Sequence, residues 1–92
     1  MIKGFSEKET EALWNGSRHH FPSDIARRAL IKLQLINAAA ELDFLRLPPG
    51  NRLEPLTGRR KGQHSIRIND QWRICFRWEA DGASDVEITD YH

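Results

Sequence analysis

Arg67 and Arg73 lie in two stretches, SIRI and WRICFRW, that alternate polar and apolar residues, and the sequence closes on Asp90, Tyr91 and His92. Guanidinium forks bind phosphate oxygens in bidentate fashion and keep their charge at working pH, so two of them beside a phenol form a site shaped for a phosphate. Chain ends usually fray and carry little, so an acid, a phenol and an imidazole placed there are expected to complete a site. The loop TGRRKGQH adds Arg59, Arg60 and Lys61 between two glycines and leads into the strand that bears Arg67. Loop and arginine-bearing face together suggest a groove that grips a nucleic-acid backbone. The alternative is that these cations only face solvent.

The charge distribution points the same way. A formal net charge of +1 over 92 residues hides an uneven division. Residues 1–45 balance six basic against six acidic side chains. Residues 46–77 set eight basic ones, Arg77 among them, against Glu54 and Asp70, and residues 78–92 hold five acidic and no basic ones. One concentrated basic segment is the footprint expected for a phosphate-bearing or acidic partner. Cys75 is the single cysteine, which excludes an internal disulfide and a cysteine cage. His19 and His20 are adjacent rather than at a ligand spacing, so no structural metal and no cofactor are expected. No apolar run reaches the length of a membrane span and MIKGFSEKE has no signal-peptide core, so a cytoplasmic protein without membrane contact is expected. The length fits one domain over residues 1–92, with a net stability of about 5–14 kcal/mol.

These side chains need elements to hold them. MIKGF has the form of a short edge strand. Ser6 with Glu9 has capping-box spacing and predicts a helix to about Asn15, stopped by Gly16. Ser23 is a second cap candidate, and Ala26, Ala29, Leu30, Leu33, Ile36 and Ala40 then form one apolar helix face. Pro48, Pro49 and Gly50 end any continuation. From Gly62 the period becomes two, in QHSIRI, WRICFRW and DVEITDY. The result is an α+β fold, two N-terminal helices packed on a small antiparallel sheet made of the edge strand and a C-terminal three-stranded meander.

Register follows from keeping one face apolar. A three-residue loop at Asn69 to Gln71 pairs Ile68 with Trp72, Ile66 with Ile74 and His64 with Phe76. The second hairpin then pairs Trp78 with Val86 and Phe76 with Ile88, and brings Glu87 opposite Arg77 and Tyr91 opposite Arg73. Trp14, Trp72 and Trp78 could stack bases, but alternation assigns the last two to the core. Arg67 faces Arg73, a like-charge conflict with no acidic neighbour evident on that face.

The succession LEPLTGRRKGQHSIRINDQWRICFRW followed by VEITDYH resembles the HigB branch of the RelE/ParE superfamily of bacterial toxins, and the likeness runs from MIKGF to the last residue. The resemblance implies a ribosome-dependent endoribonuclease that cuts messenger RNA in the decoding site and inhibits translation. It implies a HigA-type antitoxin as partner, with operator DNA bound only through the antitoxin. It also assigns Arg73 to charge on the scissile phosphate, Asp90, Tyr91 and His92 to a catalytic cluster, and Arg59 to Lys61 to ribosomal RNA. Glu54 and Thr57 stand where better-studied relatives carry histidine and lysine. RNA cleavage of this kind needs a base for the 2′-hydroxyl, a cation for the phosphorane and an acid for the 5′-oxygen. The candidates are Glu54 (if burial raises its pKa) or Tyr91 as base, Arg73 with Arg67 as cations, and His92 or Asp90 as acid. Two alternatives share the fold: a gyrase-binding toxin without enzymatic activity, as in the ParE branch, and an attenuated toxin acting mainly in autoregulation.

Overall fold

Helical periodicity decides the longest element, and the computed structural model, which describes residues 1–91, shows it as α2, Ser23–Ala38. Its Ile25, Ala26, Ala29, Leu33 and Ile36 are buried. Pro22 rather than Ser23 occupies the cap, and no side chain caps this helix. Ala39 already has extended backbone, so Ala40 lies in an exposed turn instead of on the apolar face. Asn37, the polar residue beside that face, accepts a hydrogen bond from the Ile2 amide at 2.9 Å.

The first helix, α1, spans Lys8–Trp14. Its cap is Glu7, not Ser6: the Glu7 carboxylate accepts from the amides of Glu9 (2.7 Å) and Thr10 (2.9 Å). A full negative charge at a helix N-terminus also meets the positive end of its dipole, which a hydroxyl cannot match. Ser6 turns to β4 instead, where its hydroxyl donates to the Asp85 carbonyl at 3.2 Å. The buried Thr10 hydroxyl donates to Glu7 at 2.7 Å and accepts from the Ile88 amide at 2.9 Å, tying α1 to the sheet.

Four antiparallel strands follow in the spatial order β1-β2-β3-β4: Glu54–Pro55, His64–Arg67, Trp72–Glu79 and Gly82–Asp90. Leu33, Ile36, Ile66, Ile74, Phe76 and Val86 are fully buried between sheet and helices. Trp14, Trp72 and Trp78 are half-buried against this core, so none is a free stacking platform. Phe21 meets Trp72 edge to face, with ring centroids 5.9 Å apart.

The first hairpin has the expected register, His64 opposite Phe76, Ile66 opposite Ile74 and Arg67 opposite Arg73. Asn69 holds its loop, accepting from the amides of Gln71 and Trp72 at 2.9 and 2.8 Å. The second hairpin differs from expectation. Its loop is only Ala80 and Asp81, since Glu79 pairs with Gly82 and Trp78 with Ala83. Between Cys75–Glu87 and Arg77–Ser84 the register slips by one, and Asp85 has the left-handed φ of 52°. This is a β-bulge: one extra residue in β4 lets Ala83, Val86 and Ile88 all face the core. Strict alternation would have placed Ser84 there. Glu87 therefore opposes Cys75 rather than Arg77, and Thr89 rather than Tyr91 opposes Arg73.

The N-terminal segment lies along the β4 edge, but as two isolated parallel bridges, Ile2 to Ala83 and Phe5 to Val86, rather than a continuous strand. The bulge separates the two bonding points and interrupts the ladder. Gly82 permits the close approach, because a Cβ there would collide with the Met1 carbonyl. The fourth strand of the sheet is instead β1, at the opposite edge.

Candidate functional site

Away from the helices, side chains of the four strands form rows. Register places Glu54, Ser65, Cys75 and Glu87 in one row and Arg67, Arg73 and Thr89 in the next. Two residues beyond Thr89 on the same side comes Tyr91, whose amide donates to the Gln71 carbonyl at 2.6 Å. Its hydroxyl reaches back to within 4.0 Å of the Cys75 sulfur. The Tyr91 ring thus folds over the row carrying Arg73. The Thr89 hydroxyl is buried beneath with no hydrogen-bond partner among the described residues.

Arg73 is the most buried of the paired cations on the face. Its side chain is 12% exposed, Nε donates to the buried Ser65 hydroxyl at 2.8 Å, and one terminal nitrogen donates to the Arg52 carbonyl, also at 2.8 Å. Arg52 presents that carbonyl from a left-handed backbone (φ 47°), a conformation that costs a non-glycine residue about 1–2 kcal/mol. The same nitrogen lies 3.4 Å from Glu54 Oε1. Arg67 pairs with Asp70 across the hairpin loop. The like-charge conflict is therefore resolved by one carboxylate for each arginine. Asp70 was hidden because it sits in a turn, and Glu54 because a two-residue strand leaves no periodic trace.

Glu54 is exposed, its side chain at 53%, so the burial expected of a carboxylate base is absent; its distinction is the contact with Arg73. The basic loop divides. Arg59 and Lys61 are exposed, whereas Arg60 turns inward, with Nη1 3.2 Å from both Glu87 Oε1 and Gln63 Oε1. The Glu87 bond raises the Arg60 pKa above its ordinary value. Arg77 pairs with Asp85 at 3.3 Å rather than with Glu87, and passes over Gly62, where a Cβ would lie only 2.8 Å from its guanidinium.

Burial, then the neighbouring Cys75, push the Tyr91 phenol above its ordinary pKa, against a downward pull from Arg60 and Arg73. The group is a neutral phenol at neutral pH, able to give a proton rather than take one. Asp90 lies on the other face of the sheet from Tyr91. Its register partner is Trp72, on the helix-facing side, and its carboxylate accepts from the Gln71 side chain at 3.1 Å. His92 lies outside the described residues. Among the described residues no group of His, Cys, Asp and Glu side chains is placed to hold a metal ion. Arg52 escaped the sequence reading altogether, since it contributes a backbone carbonyl; Ser65 was legible only as a small polar residue on the arginine face.

The face as built offers a fixed guanidinium flanked by a carboxylate on β1 and a phenol beyond β4, an arrangement able to bind a phosphodiester and move protons on both sides of it. No helix among the described residues is long and apolar enough to cross a membrane.

Comparisons with known proteins identify the family. Residues 3–92 match the model of a family described as RelE-like toxin of type II toxin-antitoxin system HigB. Toxin HigB-1 of Vibrio cholerae is 39% identical over 94 residues, covering 100% of this chain and 98% of that protein. Endoribonuclease HigB of Proteus vulgaris is 33% identical over 93 residues, covering 100% of both. Among solved structures, the YoeB-YefM complex from Staphylococcus aureus superposes with a TM-score of 0.63 at 17% identity, over 100% of this chain and 95% of that one, which speaks for the fold. With its helices, sheet and arginine-bearing face all in place, the chain belongs to the HigB family of RelE-like toxins of type II toxin-antitoxin systems.

Proposed function

We propose that this toxin is an endoribonuclease that cleaves messenger RNA in the decoding site of the ribosome, without a metal, and that a HigA-type antitoxin neutralises it in the cytoplasm. The observation that carries the reading is Arg73, held by Ser65 and the Arg52 carbonyl between Glu54 and Tyr91. Glu54 takes the 2′-hydroxyl proton, the 2′-oxygen attacks phosphorus, and Arg73 stabilises the charge that develops on the phosphorane. Tyr91 gives its proton to the departing 5′-oxygen, leaving a 2′,3′-cyclic phosphate. Asp90 supports Tyr91 from the other face, through the Gln71 residue whose carbonyl holds the Tyr91 amide. His92 enters only by its resemblance to the family's terminal cluster.

Dependence on the ribosome fits an open face. In-line attack needs the reacting atoms aligned, and an exposed Glu54 on a short edge strand cannot impose that alignment on flexible RNA. Arg59, Lys61, Arg67 and Arg77 serve the grip on RNA backbone. The antitoxin belongs to the reading because the family is one of toxin-antitoxin pairs, and the structural neighbour was solved as a complex of YoeB with YefM. Operator DNA would be met only through the antitoxin.

The test is to incubate purified toxin and its Arg73→Ala variant with ribosomes programmed with a defined mRNA and to map new 5′ ends. Codon-positioned cuts are expected from the wild type, with a loss of about 10²–10³-fold in the variant. Growth arrest that survives Arg73→Ala, with no cuts by either protein, would mark a binding toxin instead.

A further inference from the structure

Arg60 sits in a loop whose neighbours Arg59 and Lys61 are exposed, yet its own side chain is 30% exposed and points across the sheet to Glu87, itself 27% exposed. An arginine needed only to touch RNA backbone is served by an exposed, mobile side chain. This one is oriented by two acceptors on Nη1, Gln63 and Glu87, each at 3.2 Å. The same Glu87 oxygen lies 3.4 Å from the Ser6 hydroxyl, which anchors the carboxylate from the N-terminal segment. Glu87 stands beside Cys75 in the register, and the Cys75 sulfur is 4.0 Å from the Tyr91 hydroxyl. The guanidinium is thereby pinned at Glu87, whose register neighbour Cys75 is the residue that the phenol hydroxyl approaches.

We propose that Arg60, braced by Glu87, is a positioning residue for proton transfer by Tyr91. When Tyr91 protonates the departing 5′-oxygen, its O–H bond breaks and a phenolate remains until solvent returns the proton. The Arg60 charge stabilises that phenolate. The charged and titratable groups that bear on the phenol are Arg73 and Cys75 from β3 and Arg60 from the turn between β1 and β2, with Glu87 of β4 behind Arg60 and opposite Cys75. Arg73 bears on the phenol too, but Ser65, the Arg52 carbonyl and Glu54 hold it toward the phosphate, and Arg60 is the second cation, assigned to the phenol. The inference rests on the reading of Tyr91 as the acid.

Tyr91 is the single tyrosine of the chain, so the phenolate ultraviolet absorbance of the whole protein reports this one group. In Arg60→Gln the titration midpoint is expected to rise by roughly half a unit to one unit, and Arg60→Lys should restore most of it. Glu87→Gln separates bracing from direct charge. Losing a nearby anion would by itself lower the midpoint, whereas releasing Arg60 raises it, and a rise is expected. A fall in Glu87→Gln, or no change in Arg60→Gln, overturns the proposal.

Single-turnover cleavage on programmed ribosomes supplies the second arm. Arg60→Gln should slow cleavage about tenfold in the wild-type background and add nothing to Tyr91→Phe. Equal losses in both backgrounds, or a change in KM alone, would make Arg60 a backbone grip and overturn the proposal while sparing the acid role of Tyr91. Full-rate cleavage by Tyr91→Phe would instead overturn the acid reading, and this inference with it.

Discussion

Ser65 shows how much of a site can rest on a side chain with no chemistry of its own. Its buried hydroxyl accepts from Arg73 Nε, and an alanine there would leave the guanidinium with the Arg52 carbonyl and Glu54 as its remaining protein partners. A buried donor stripped of its acceptor costs about 1–3 kcal/mol, and the arginine gains freedom to rotate away from the phosphate. Ser65→Ala should therefore lower stability by about 1 kcal/mol and slow cleavage roughly tenfold, which thermal melts and single-turnover rates would check together. A large stability loss with an unchanged rate would show that Arg73 finds its position without this bond. Alternation placed Ser65 on the arginine face in advance. That it is a hydrogen-bond partner of Arg73 depends on where an eight-residue excursion of chain returns, and no local pattern states that.

At the scale of elements, the caps are the clearest case of chemistry shifting by one residue. Ser6 and Glu9 have capping-box spacing, yet Glu7 caps α1 and Ser6 bonds to β4. Helix propensity alone accepts either solution. Docking the segment against β4 decides, because Ser6 donates its amide to the Val86 carbonyl at 3.2 Å and so belongs to the sheet edge. Glu7→Ala should cost about 1 kcal/mol, as loss of a cap does, and Ser6→Ala less than half of that. Chemical denaturation of the two variants would check this; equal costs would return the cap to Ser6. The bulge in β4 obeys the same logic. Strand periodicity was legible from Asp85 onward, but the extra residue and the strand before it were not, since the bulge serves only to bring Ala83, Val86 and Ile88 onto one face.

For the molecule as a whole, the basic segment is less uniform than its charge suggests. Arg46, Arg60, Arg67, Arg73 and Arg77 each pair with a carboxylate. Arg52, Arg59 and Lys61 have no such pair among the described residues, and all three lie in the segments flanking β1. These cations release counterions on binding most freely, as they have no internal carboxylate to leave. Arg59→Ala and Lys61→Ala should each reduce the log–log salt dependence of ribosome binding by roughly 1, uniformly across mRNA sequences. A titration of ribosome binding against salt would measure it. Unchanged slopes in both variants would move the grip to the paired arginines.

The sequence by itself determined the α+β architecture, the buried face of α2, the register of the first hairpin and the gathering of Arg67, Arg73 and Tyr91 on one side of the sheet. These follow from period and apolar burial, which act residue by residue and leave a repeating trace. Only the tertiary structure decided which carboxylate meets which arginine, that Arg60 turns inward while Arg59 and Lys61 stay out, and that Arg52 gives a carbonyl to the site. Ser6 and Glu87 meet across 81 positions of sequence. Polar pairings of that kind form between groups already brought within a few ångströms by the packing of apolar faces, so their partners are chosen by the fold and not by spacing along the chain.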